Sequence, residues 1–318
     1  MLTKSVKVKG YILAAVAAAT YGTNPAFAVP LYEQGMNPTS VLLLRYSFSL
    51  PVLLVMMLWR GQTLRLKRAE IMPVAILGIL MALSSLGLFE SYKYMNAGVA
   101  STLLFMYPVI VAVIMAFFYH EKFKITTGVC LVVMGAGLVM LMRSGGDSSV
   151  SLVGFLLVLL SSLTYALYLV MTNVSGRVHS IPTLKLLFYQ LLIGQSVFVF
   201  MFVYGEPLTL PAAPSGWGNV AALAVLPTAI SLGCTTMAIH CIGSTPTAIF
   251  GALEPVTAVV LSVVFLGQAL SVNEIAGGAL IVIATTMVIA ADPIDQALLR
   301  MRKMFPSRRH RSCHNRAD

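Results

Sequence analysis

The chain has 318 residues, 58% of them hydrophobic and only 10% charged, with a formal net charge of +10; its mean hydropathy is +0.88. Soluble domains carry about 25% charged residues, so this composition excludes an ordinary soluble globular protein. The basic excess does not mark a nucleic-acid binder, because the Lys and Arg residues fall in short segments between long apolar runs and in one terminal stretch.

In chain order, a short basic segment with Lys4, Lys7 and Lys9 precedes an apolar run from Gly10 to about Leu31. Ala26-Phe27-Ala28 imitates a signal cleavage site, but the run is long and many others follow, so it reads as a first transmembrane helix. Further spans are predicted at about 39–59, 70–92, 97–119, 125–143, 152–174, 184–204, 217–239, 244–267 and 272–291. Each approaches the roughly twenty apolar residues that cross a bilayer as a helix. The expected fold is an all-α integral membrane protein with ten transmembrane helices. With the N-terminus in the cytoplasm, eighteen of the 21 Lys and Arg residues fall on the inner side; Lys93 and Arg143 lie outside and Arg45 within a span. That bias places both termini in the cytoplasm. The tail after Asp292, basic from Arg300 to Arg316, is expected to bind anionic lipid headgroups.

The chain also repeats itself. Thr20-Tyr21 matches Thr164-Tyr165 and Pro38-Thr39 matches Pro182-Thr183, both at a shift of 144 residues. Leu86-Gly87 matches Leu232-Gly233 at 146, and Pro108-Val109 matches Pro255-Val256 at 147. The expected division is a first five-helix repeat over 1–146, a second over 147–292, and a tail over 293–318. Five spans per half is an odd number, so the second repeat enters the membrane inverted relative to the first. Inverted repeats of this kind are typical of secondary transporters, with the substrate site between the halves near the midplane.

The chain resembles the EamA-type drug/metabolite transporters over nearly its whole length. The resemblance rests on Tyr21-Gly22-Thr23-Asn24-Pro25-Ala26-Phe27, Arg45, Ala97 to Pro108, His120-Glu121-Lys122, and Leu253-Glu254-Pro255-Val256 through Leu270. His120 and Gln268 stand where that family usually has Gly and Glu. The resemblance implies ten helices in the plasma membrane (the inner membrane of a bacterium) and export or exchange of small metabolites.

Several polar residues in apolar spans are candidates for binding. Glu254 suits a substrate amine or a proton, or else a structural hydrogen bond beside the kinked helix. Arg45 suits snorkelling to the outer surface, an ion pair with Glu90, or an anionic substrate. Tyr21, Asn24, Tyr107, Tyr165 and Tyr168 suit a cavity for a partly apolar metabolite, and Gln190 and Gln195 suit the same or a bond between helices. Pro108 and Pro255 are expected to kink their helices. Glu90 and Lys93 are placed for a local surface pair. Gly135-Ala136-Gly137 and Gly277-Gly278 suit close helix contact, including a homodimer face. No metal-ligand cluster or nucleotide motif is present in the sequence, so no cofactor is expected, and an enzyme is the weaker reading. The expected function is a secondary transporter of amino-acid-like or drug-like metabolites, driven by protons or substrate exchange; the alternative is a non-transporting scaffold or receptor subunit. A reporter fused after Asp318 is expected on the cytoplasmic side, and an external signal would overturn both the topology and the inverted repeat.

Overall fold

The computed structural model describes residues 4–118, 125–142, 151–205, 207–242, 247, 250–251, 253–267, 270–273, 275–284 and 286–287. The basic tail, the loop containing His120 to Lys122, Arg143, Gln268 and the side chain of His240 lie outside them. Among the described residues every regular element is helical. In lipid this is expected, because backbone polar groups have no water to bind and a helix satisfies them internally.

The helices are α1 (Lys4–Tyr21), α2 (Asn24–Glu33), α3 (Pro38–Trp59), α4 (Arg68–Ser91), α5 (Ala97–Leu104), α6 (Tyr107–Phe118) and α7 (Ile125–Met142). There follow α8 (Leu152–Val174), the single turn α9 (Gly176–His179), α10 (Thr183–Val203), α11 (Pro214–Ala224), a π-helical stretch (Val225–Ile230), α12 (Ser231–Ile242) and α13 (Leu253–Leu266). A last apolar helix, α14, covers Ile275–Ala284. Six described stretches are long and apolar enough to cross a membrane: Val6–Glu33, Pro38–Trp59, Arg68–Ser91, Leu152–Thr172, Thr183–Val203 and Pro214–Ala238. Shorter apolar helices accompany them. Outward-facing Phe117, Phe118, Val132, Val264 and Phe265 are exposed, which suits lipid rather than water.

Local chemistry starts the helices where the sequence allows it. Asn37 precedes α3 and accepts from the Ser40 amide at 2.7 Å, with Pro38 as the first helical residue, a position where its missing N–H costs nothing. Glu70 reaches back to the Lys67 amide at 3.0 Å and opens α4.

Helix packing keeps its pattern when the two halves of the chain are exchanged. Helix α4 lies along α8, and in the same way α12 lies along α1; α5 and α6 cover α8 as α13 covers α1 and α2. Helix α10 touches α4 as α3 touches α11 and the π stretch, while α3–α10 and α5–α13 are contacts between counterparts. Serine hydroxyls bind a facing backbone at both equivalent crossings: Ser161 donates to Ser84 O at 2.6 Å and Ser231 to Ala17 O at 2.8 Å. Gly137 and Gly277 also meet within one chain, since a Cβ on Gly137 would lie 2.7 Å from Gly277 O.

Helices α4 and α10 approach closely through glycines. A Cβ on Gly78 would lie 2.7 Å from Gln190 O, and one on Gly194 would lie 2.8 Å from Gly78 O. Both obstacles are backbone, which cannot swing aside. Gly78→Val is therefore expected to destabilise the protein by roughly 1–3 kcal/mol, seen as a lowered thermal unfolding midpoint in detergent. Gly218→Val, with open space around it, is expected to change little, and equal midpoints for the two variants would refute the close approach.

Candidate functional site

Three helices begin inside the apolar layer with a polar residue followed by proline. Asn24-Pro25 opens α2 after the turn at Gly22-Thr23; Tyr107-Pro108 opens α6 after the turn at Phe105-Met106; Glu254-Pro255 lies in the first turn of α13, after the turn at Gly251. Proline is tolerated in a first turn because the N–H it lacks has no intrahelical acceptor there. Just before Pro108 the two-residue turn at Phe105-Met106 separates α5 from α6, and Pro255 lies in the first turn of α13. The first and third of these ends meet. A Cβ on Gly22 would come within 2.6 Å of Glu254 O, and α5 packs on α13 with Gly98 facing Ser262.

Around these ends the aromatic side chains pack in clusters that together form a tyrosine-rich wall. The rings of Tyr107 and Tyr165 meet edge to face at 4.7 Å, and Tyr165 stacks on Tyr168 at 5.8 Å. The Tyr168 hydroxyl donates to Gln190 Oε1 at 3.4 Å. On the other side Tyr46 contacts Phe198 at 5.1 Å and binds Ser85 at 3.2 Å, while Phe89 stacks on Tyr92 at 5.5 Å. Asn24 donates to Tyr21 O at 2.9 Å. Among the described residues, Asn24 Oδ1, Gln190 Nε2 and Ser262 Oγ are buried without a hydrogen-bond partner. Buried polar atoms are normally paired; Gln62 Oε1, Asn96 Oδ1 and Gln195 Oε1 share this condition elsewhere in the described residues.

Two charges face this wall. Arg45 is 1% exposed, donates from Nε to Thr228 Oγ1 at 2.6 Å, and stands 5.4 Å from the Phe89 ring centroid, a distance suited to cation–π attraction. Glu254 is 8% exposed. Among the described residues neither has an opposite charge within 4.0 Å. Glu90, the partner considered for Arg45, pairs instead with Lys93 at 2.9 Å.

The structure brings the sequence candidates together, and the repeat explains how. A shift of 144 residues carries Tyr21 onto Tyr165, Asn24 onto Tyr168 and Tyr46 onto Gln190; a shift of 147 carries Tyr107 onto Glu254. The wall is thus built from counterparts of the two halves. Gln195 stands apart, donating to Ser47 at 2.9 Å as a bond between helices. Sequence reasoning missed Tyr32, Tyr46, Tyr92 and Thr228. Tyr46 was within reach, because the repeat shift applied to Gln190 points to it. Among the described residues no group of three or more His, Cys, Asp or Glu side chains is placed to hold a metal.

Fold and site together define a multi-pass helical membrane protein of two related halves enclosing a polar, tyrosine-lined interior. The model of the EamA-like transporter family matches residues 8–143 and again 152–290, so the chain belongs to that family. No curated protein matches it in sequence. Among solved structures, one described as "Crystal structure of protein" superposes with a TM-score of 0.65 at 21% identity, covering 94% of this chain and 99% of its own. At that identity the likeness speaks for the fold alone.

Thr228 is expected to matter through Arg45. Thr228→Val removes the acceptor and leaves a buried donor unpaired, a loss of roughly 1–3 kcal/mol, whereas Thr228→Ser retains the hydroxyl. Thermal unfolding is expected to separate the two variants, and a Val variant as stable as wild type would refute the contact.

Proposed function

We propose that the chain is a secondary active transporter of small zwitterionic or amino-acid-like metabolites, working by alternating access between two inverted five-helix repeats. In this reading ten helices cross the plasma membrane of a bacterium with both termini in the cytoplasm, and the physiological direction is export or exchange. The observation that carries it is the pair of buried charges, Arg45 and Glu254, neither neutralised by an opposite charge within 4.0 Å among the described residues. Holding unpaired charges in an apolar interior is costly. A ligand carrying the complementary pair offsets that cost while bound.

The parts have distinct roles. Glu254 receives the substrate amine, or a proton when the site returns empty; Arg45 receives a carboxylate or other anionic group. The rings of Tyr107, Tyr165 and Tyr168 cover the apolar part of the molecule. Asn24 and Gln190, with buried atoms lacking partners, supply further polar contacts. Because the wall is drawn from counterparts in both halves, a rocking of one half against the other opens it to one side while closing it to the other.

Glu254→Gln keeps the size of the side chain and removes its charge. Losing a charge-assisted hydrogen bond costs about 1.5–3 kcal/mol, so amino-acid counterflow in proteoliposomes is expected to fall by roughly one to two orders of magnitude, with any dependence on external pH lost as well. Normal counterflow by a variant shown to be correctly inserted would sink the assignment of Glu254.

A further inference from the structure

The segment joining α3 to α4 meets the turn joining α8 to α10, one helix turn and more along α10 from Gln190. Between them lies a cavity of about 590 Å³ whose polar lining includes Arg65, Lys67, Arg68, Glu70, Ser180 and Lys185. Four of these side chains are basic and one is acidic. Glu70 is already engaged, accepting from the Lys67 amide at 3.0 Å and standing 4.0 Å from Lys67 Nζ. Lys185 is only 8% exposed, and its ammonium donates to Arg65 O at 2.5 Å. Among the described residues no carboxylate lies within 4.0 Å of Lys185. A buried ammonium has three donors and a full charge, and one carbonyl leaves both incompletely satisfied.

Exposed apolar side chains flank the lining segment in sequence. Trp59, at the end of α3, is 89% exposed, and Leu64, Ile71 and Met72 are exposed nearby in sequence. A tryptophan at the end of a span marks the level where hydrocarbon gives way to headgroups. A basic pocket at that level, with apolar side chains beside it, has the chemistry of a lipid site.

We propose that this cavity binds the phosphate of an anionic phospholipid, with Lys185 and Arg65 as its main ligands and the acyl chains lying against the apolar residues of α3 and α4. The lining comes from both halves of the chain, so an occupied site ties the α3–α4 segment to the start of α10. Tyr189 adds to the same junction by donating its hydroxyl to Leu64 O. The inference is independent of what the tyrosine-lined interior transports.

The test is native mass spectrometry of the full-length protein in detergent, titrated with phosphatidylglycerol or phosphatidylcholine of the same acyl composition. The expected result is retention of phosphatidylglycerol over phosphatidylcholine by about tenfold, weakened roughly fivefold by Arg65→Gln and again by Lys185→Gln. Arg65 is exposed, so its substitution tests the site even if the Lys185 variant does not fold. Arg177→Gln removes an exposed charge on a neighbouring turn outside the cavity and is expected to leave retention unchanged. Equal retention of the two lipids, unchanged retention in Arg65→Gln, or an equal loss in Arg177→Gln would overturn the proposal. Displacement of phosphatidylglycerol by an equal concentration of inorganic phosphate would assign the pocket to free phosphate and overturn the lipid assignment.

Discussion

A helix broken inside lipid must find protein partners for the backbone groups it releases, because no water is there to take them. This protein breaks helices at the level of its site and accounts for the released groups locally. At the first break Gly22 N binds Ala18 O at 3.0 Å, while the Thr23 hydroxyl and the Asn24 amide bind Thr20 O and Tyr21 O at 2.6 and 2.9 Å. At the second, Phe105 N and Met106 N tighten onto Thr102 O and Leu103 O, and the Ser162 hydroxyl of α8 crosses over to Leu104 O at 3.2 Å. At the third, Glu254 N returns to Gly251 O at 2.9 Å. The breaks are affordable only where neighbouring helices close over them. The polar residues at the breaks are therefore enclosed between the halves and turned away from lipid.

The two halves share a backbone plan but not a charge pattern. Tyr21 and Tyr165 are identical counterparts, while Tyr107 faces Glu254 and Asn24 faces Tyr168 across the same relation. Arg45 has Tyr189 as its counterpart, and that hydroxyl is spent on Leu64 O. In the proposed transport cycle the symmetry lets related halves exchange conformations while keeping the same contacts on either side, and the asymmetry of one cation and one anion gives the proposed site a direction that two identical walls would lack.

Much of this was legible in the sequence because lipid leaves few alternatives. Apolar runs of about twenty residues read directly as helices, and an ionisable residue inside one announces itself by its cost. Glu254 and Arg45 stood out on that ground, and Tyr21, Tyr107 and Tyr165 as aromatic rings with polar ends inside apolar spans. The interruptions were not legible as such. Proline signals a bend, a break or a helix start equally well, and only the turn at Phe105-Met106 decides between them for Pro108. The partner of Arg45 was hidden for another reason: 183 residues separate it from Thr228, and a threonine in an apolar span carries no charge to draw attention. The pairing of Glu90 with Lys93 was the short-range solution, favoured because neighbours on one helix turn need no tertiary contact to meet.

Thr228 also explains why Arg45 points where it does. Pro227 has no N–H, so in an ordinary helix the carbonyl four residues earlier, that of Leu223, would be left without a donor. The chain widens into a π-helical stretch here, and the Thr228 hydroxyl supplies the missing donor to Leu223 O at 2.8 Å. Ser49 of α3 also reaches this stretch, its hydroxyl standing 2.7 Å from Arg45 O and 3.1 Å from Ala224 O. Once its proton is committed to Leu223, the Thr228 oxygen presents a lone pair outward, and Arg45 Nε fills it from α3. The same proline that disrupts the helix thereby creates the acceptor that anchors the cation. Widened helical turns of this kind recur at functional sites, and here the reason is visible in three hydrogen bonds. A cation held by one neutral oxygen and one aromatic face is fixed in direction, yet it keeps its charge available to a ligand.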